Sequence, residues 1–197
     1  MSFAVLATCF GVVFVGELPD KTAVASLVLG ARYSPWRVWF GVAVAFVIHV
    51  TVATVAGGFV ARLPRQPVEI VTGVLFLIGA VVLFRSDPAE AVAEGEEEAD
   101  SVKGERRGFK ISTAAFGVVL VAEFGDLTQI LTATLAARYH SPVSVAVGAL
   151  LALWAVAALA VTFGRSLLRV IPLRRVQQLA ACLLLVLTTL SLISAFD

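Results

Sequence analysis

Gly16-Glu17-Leu18-Pro19-Asp20-Lys21-Thr22 and Ala122-Glu123-Phe124-Gly125-Asp126-Leu127-Thr128-Gln129 share a Glu-x-x-Asp-x-Thr core, 106 residues apart from Glu17 to Glu123. The offset continues into Ala31-Arg32-Tyr33 and Ala137-Arg138-Tyr139. Both stretches lie in strongly apolar surroundings. The 197-residue chain is 59% hydrophobic with a mean hydropathy of +0.96. A soluble domain of this length needs far more polar surface. The composition defines an integral membrane protein, and its long apolar runs fit α-helical crossings of about 20 residues.

Acids inside a membrane span are costly and mark function by default. Here two matched pairs stand in two halves of one chain. The first apolar stretch is not a cleavable signal: it lacks a positive start and carries Glu17, Asp20 and Lys21 where an apolar core would continue. It is expected to stay as span 1, about 3–29, with Pro19 kinking or breaking it. Ser34-Pro35 turns the chain into span 2, about 36–60. The Arg62-Leu63-Pro64-Arg65-Gln66-Pro67 turn leads to span 3, about 68–84. After the hydrophilic segment come span 4, about 111–136, span 5, about 143–163, and span 6, about 176–195. Ser141-Pro142 repeats Ser34-Pro35, and Pro172 echoes Pro64.

The expected organisation is a three-helix repeat over 1–85, an acidic linker over 86–110 and a second three-helix repeat over 111–197. The linker carries the run Glu94-Gly95-Glu96-Glu97-Glu98 and then the basic residues Lys103, Arg106, Arg107 and Lys110. Such composition reads as a disordered tether. It could also concentrate cations at its side of the membrane. Eleven Lys and Arg lie in the turns after spans 1, 3 and 5 with the linker, against Arg62, Arg65 and Arg138 on the other side. The positive-inside rule then puts the linker in the cytoplasm and both termini outside. Three spans per half invert one repeat relative to the other, a recurring transporter plan with its site at the repeat interface.

Glu17 and Asp20, like Glu123 and Asp126, are spaced to share one helix face. If the repeats meet face to face, four carboxylates converge, and they must be protonated or paired with a cation. Lys21 is expected as a counter-ion for Asp20 or Glu17, since an ammonium offers a metal no lone pair. About three charges then remain, which suits a divalent cation plus a proton. The candidate ligands are Glu17, Asp20, Thr22, Glu123, Asp126, Thr128 and Gln129. All offer oxygen, which favours hard ions such as Ca²⁺, Mg²⁺ or Mn²⁺. Unwinding at Pro19 and Gly125, each just before an Asp, would free backbone carbonyls for the ion. An empty, fully charged site is too costly to carry across, so exchange of cation for protons follows. The bland alternative is that the buried acids only tie helices together.

At these residues the sequence resembles the GDT1 family of membrane proteins, whose members carry two copies of Glu-x-Gly-Asp-Lys/Arg-Thr/Ser in the first and fourth of six core spans. The resemblance covers essentially the whole chain. It implies a Ca²⁺/H⁺ or Mn²⁺/H⁺ antiporter in a bacterial cell membrane, with Mn²⁺ export the direction associated with bacterial relatives. The cation is a substrate, and no cofactor, enzyme activity or nucleic-acid partner is implied. Pro19 stands where the first motif has Gly, and Leu127 where the second has a basic residue.

Rival readings are an exporter of amino acids or other small solutes, and an intramembrane aspartyl protease using Asp20 and Asp126. The second gives no reason for Glu17 and Glu123. His49, within span 2, reads either as a proton relay or as a hydrogen-bonding tie to a neighbouring helix. Gly57, Gly58, Gly73, Gly79 and Gly148 read as helix contacts. Trp36, Trp39, Tyr33 and Tyr139 read as interfacial anchors, and Cys9 and Cys182 as core residues without a disulfide.

Overall fold

The computed structural model describes residues 2–18, 20–102, 108–139, 141–163 and 172–196. Among them the secondary structure is all helical: α1 (Phe3–Glu17), α2 (Lys21–Arg32), α3 (Pro35–Val60), α4 (Arg65–Arg85), α5 (Pro88–Asp100), α6 (Gly108–Ala122), α7 (Leu127–Tyr139), α8 (Pro142–Phe163) and α9 (Leu173–Phe196). Among the described residues four helices are long and apolar enough to cross a membrane unaided, in α3, α4, α8 and α9. The pairs α1–α2 and α6–α7, bent by 71° and 69°, complete six crossings if each pair counts as one. Large apolar side chains such as Phe40, Val55, Leu77, Ile78, Leu179 and Ile193 face outward, as they must where lipid is the solvent.

The two halves are interlocked rather than side by side. α1 packs on α8, and α6 packs on α3, so each repeat's first span lies on the other's second; α4 and α9 pair. Repeat-related glycines make these contacts. A Cβ on Gly148 in α8 would fall 2.5 Å from the Leu6 carbonyl oxygen in α1. A Cβ on Gly41 in α3 would strike the equivalent Ser112 carbonyl in α6. Such close approach lets helices gain dispersion contact where no hydrophobic drive separates lipid from protein. Gly148→Val is therefore expected to destabilise the fold by about 1–3 kcal/mol. Gly58→Ala, at a position with no heavy atom within 4 Å, should be neutral or better in the same thermal melt in detergent.

The starts of α3 and α8 follow from the repeated Ser-Pro: Pro35 and Pro142 each open a helix, where a missing N–H costs nothing. The linker differs from its sequence reading. Residues 88–100 form α5, not a disordered tether. Asp87 caps it, accepting the Ala89 N–H at 2.9 Å, and Pro88 occupies its first turn. Val92, Gly95, Ala99 and Val102 recur at three- and four-residue steps and pack on α2, while Glu96 and Glu97 face out. A face of four small residues is enough to dock the helix, though bulk composition conceals it. Lys103, Arg106, Arg107, Arg165 and Arg169 lie outside the described residues.

Two aromatic anchors have inward roles. The Trp39 indole donates to the Trp154 carbonyl at 3.2 Å, and Trp154 donates back to that of Ala43 at 3.1 Å. The Tyr33 hydroxyl donates to the Val102 carbonyl beyond α5 at 3.0 Å. Trp36 remains outward facing. Cys9 is buried and Cys182 exposed, both as free thiols.

Candidate metal centre at the two helix breaks

Each motif is a helix break. Glu17 ends α1 and Asp20 caps α2; Glu123 follows α6 and Asp126 precedes α7. The same turn recurs in both: the Asp20 N–H donates to the Glu17 carbonyl at 3.0 Å, and that of Asp126 to the Glu123 carbonyl at 3.2 Å. Each Asp side chain then accepts the N–H two residues on, from Thr22 at 3.5 Å and Thr128 at 3.2 Å. An aspartate in this position satisfies donors that the new helix leaves open. Gly125, at φ +84°, takes the left-handed conformation that reverses the chain. Pro19, expected to break the first helix, lies outside the described residues; the break flanks it.

The break changes how the acids meet. The Glu and Asp of each motif do not share a face of one continuous helix, as the spacing suggested. They stand on either side of a turn, with Glu17 and Glu123 buried and Asp20 and Asp126 half-buried. Ligand oxygens of Glu17, Asp20 and Glu123 come within 4.8 Å of one another, so both repeats contribute to one cluster. Glu17 is 1% exposed and Glu123 4%. The Thr22 hydroxyl donates to the Glu123 carboxylate across the repeat boundary. Thr128 occupies the mirrored place beside Glu17, but neither Glu17 oxygen has a hydrogen-bond partner among the described residues. A buried carboxylate with two vacant oxygens is expensive to keep unless something else takes them.

Asp126 does not join the tightest group. With Asp20, Thr128 and Leu127 it lines a cavity of about 140 Å³ whose other wall is Asp87, Glu90 and Glu94 of the linker and Gln177 of α9. Asp20 is the member of the cluster that also faces this cavity on the linker side. Gln129 sits behind the cluster. Its side-chain oxygen accepts the Gly125 N–H at 2.8 Å, and its amide nitrogen lies 3.1 Å from His49 Nδ1. The His49 ring is buried and ties α3 to α7 through this contact.

Lys21 makes its ion pair away from Asp20 and Glu17. Its Nζ lies 3.9 Å from Glu98 Oε1 on α5, a contact hidden while the linker is read as disordered. Sequence reasoning also passed over Glu69, and read Arg138 only as part of the repeat and of the charge count. Glu69 in α4, 5% exposed, accepts from Arg138 of α7 at 3.2 Å, and Arg138 also donates to Ser191 of α9. The signal was present: Glu69 is an acid one residue into the third expected span, where a partner is obligatory.

Broken helices from two inverted repeats, meeting at buried carboxylates, are the architecture of a secondary transporter. The comparison with known families agrees. The chain matches the model of the divalent cation/proton antiporter GDT1 over residues 5–91 and 111–197, and it belongs to that family, one of transporters and not enzymes. It is 33% identical to the GDT1-like protein sll0615 of Synechocystis sp. over 77% of this chain and 78% of the relative. It is 37% identical to the chloroplastic GDT1-like protein 2 of Oryza sativa subsp. japonica over 41% of this chain and 23% of that one. No solved structure matches.

Proposed function

We propose that this chain exchanges a divalent cation, Mn²⁺ or Ca²⁺, for protons across a bacterial cell membrane, working as a Mn²⁺ exporter with its linker in the cytoplasm. The observation that carries the reading is the convergence of Glu17, Asp20 and Glu123 from both repeats. Two like charges 4.8 Å apart repel by about 3 kcal/mol at an effective dielectric of 20. Three such pairs cost roughly 10 kcal/mol, comparable to the whole stability of a domain. The cluster must be neutralised, and a divalent cation and protons, the substrates for which the family is named, can each do it. Their alternation is an exchange cycle. The ligands Glu17, Asp20, Thr22, Glu123, Asp126 and Thr128 all offer oxygen, and Gln129 holds the Gly125 turn from behind.

A small-solute exporter gives no reason for matched acids in both repeats, Glu17 and Asp20 with Glu123 and Asp126. An aspartyl protease would use Asp20 and Asp126 and leave the glutamates idle. Purified protein in vesicles should take up Mn²⁺ or Ca²⁺ when the interior is acid, with protons leaving in step. Cation movement without proton counterflow would contradict the reading, as would peptide cleavage that survives replacement of both glutamates by glutamine.

A further inference from the structure

We propose that Glu98 of the linker helix sets the cation affinity of the carboxylate cluster by holding Lys21 out of it. Lys21 is the one basic residue within the two motifs. It follows Asp20 directly and lies within electrostatic reach of Asp20, Asp126 and Glu123. An ammonium among those carboxylates supplies the charge a cation would bring, so a free Lys21 is a tethered competitor for the site. Its position is a divide. Lys21 lines the cavity that contains Asp20 and Asp126, and also a wider one walled by Glu94, Glu97 and Glu98 of α5.

The ion pair to Glu98 draws the side chain toward the second of these. Burial lifts the Glu98 carboxyl above the ordinary glutamate range, and Lys21 is the neighbour that opposes that shift. Its Oε2 is buried without a hydrogen-bond partner among the described residues, and Lys21 is the cation that faces its other oxygen. The backbone fixes the arrangement. Gly95, one turn before Glu98, lies so close to α2 that a Cβ there would fall 2.6 Å from the Lys21 carbonyl oxygen. The linker helix is thereby seated on the same turn that carries the ammonium. Displacing α5, by a partner or by modification of the linker, would free Lys21 and weaken cation binding without touching a ligand.

This inference rests on the reading that the cluster binds a divalent cation. The test is Mn²⁺ titration of the purified full chain in detergent. Glu98→Gln is expected to weaken Mn²⁺ binding by at least about fivefold, and Lys21→Met to tighten it by a similar factor, the low end of ordinary coupling between sites. The double variant should match Lys21→Met alone. Gly95→Leu, which lifts α5, should weaken binding as Glu98→Gln does and have no effect in the Lys21→Met background. Opposite signs are the discriminating feature, because a merely structural ion pair loses the same contact from either side. If both single variants shift affinity in the same direction, or neither shifts it, the proposal is overturned. A wild-type chain that binds neither Mn²⁺ nor Ca²⁺ overturns the underlying reading as well, and is recognised because no variant then has an affinity to compare.

Discussion

Glu17→Gln is expected to reduce cation/proton exchange by at least about 100-fold while leaving the fold intact. Removing a group that merely orients a metal ligand costs 10- to 100-fold, and Glu17 stands inside the cluster itself. Its two oxygens are buried with only the Thr128 hydroxyl beside them, and that hydroxyl can donate to an amide oxygen as it can to a carboxylate. The neutral amide resembles a protonated carboxyl in shape and charge, so the cation-free protein should melt at or above the wild-type temperature. What it loses is the response to cation. Wild-type protein at 100 times its dissociation constant for Mn²⁺ gains about 2.7 kcal/mol by mass action, and the variant should gain nothing. Glu123→Gln should behave alike, although it lies in the other repeat, since the Thr22 hydroxyl can still donate to the amide oxygen. A variant that keeps its exchange rate, or unfolds without added cation, would contradict this account.

The second large effect concerns stability. Arg32 and Arg138 occupy equivalent places in the two repeats, and each has an acidic partner, but their surroundings differ. The Arg138 and Glu69 side chains are 13% and 6% exposed, whereas those of Arg32 and Asp100 are 33% and 42%. Arg138→Met strands a buried carboxylate between α4, α7 and α9 and should cost about 3–5 kcal/mol. Arg32→Met, with a partner that water can solvate, should cost no more than about 1 kcal/mol. Adding Glu69→Gln to Arg138→Met should recover most of the loss, because the penalty is an uncompensated charge and not a missing contact. Thermal unfolding in detergent reads all three. Equal losses from the two arginines, or no recovery in the double variant, would show that the buried pair contributes nothing special.

The doubled motif exposed the repeat, and of the four acids expected to converge the structure brings Glu17, Asp20 and Glu123 together and leaves Asp126 aside. This worked because an acid in lipid needs a partner whatever the local geometry. Local geometry itself was less legible. A three-residue spacing in an apolar run suggests a continuous helical face, yet Asp20 and Asp126 compete with the helix by accepting the Thr22 and Thr128 N–H groups. That capping starts a new helix and frees the end of the old one. The sequence shows the residues able to cap and not which conformation wins.

The linker failed for a related reason. A 13-residue helix is marginal alone, and α5 exists because Gly95, Ala99 and Val102 meet α2. Tertiary contact of that kind is invisible in the charge count of the segment. With α5 hidden, the Glu98 partner of Lys21 was hidden too. Glu69 was a different failure, since its isolation in an apolar span was visible in the sequence.

A site shared by the two halves encloses one ion with ligands from both, not one ion in each half. The most direct measurement is the Mn²⁺ stoichiometry of purified wild-type, Glu17→Gln and Glu123→Gln chains, read by equilibrium dialysis or by the paramagnetic signal of free Mn²⁺. A shared site predicts one tightly bound ion per wild-type chain and none in either variant. Two ions per wild-type chain, or one ion retained when a single repeat is altered, would contradict it.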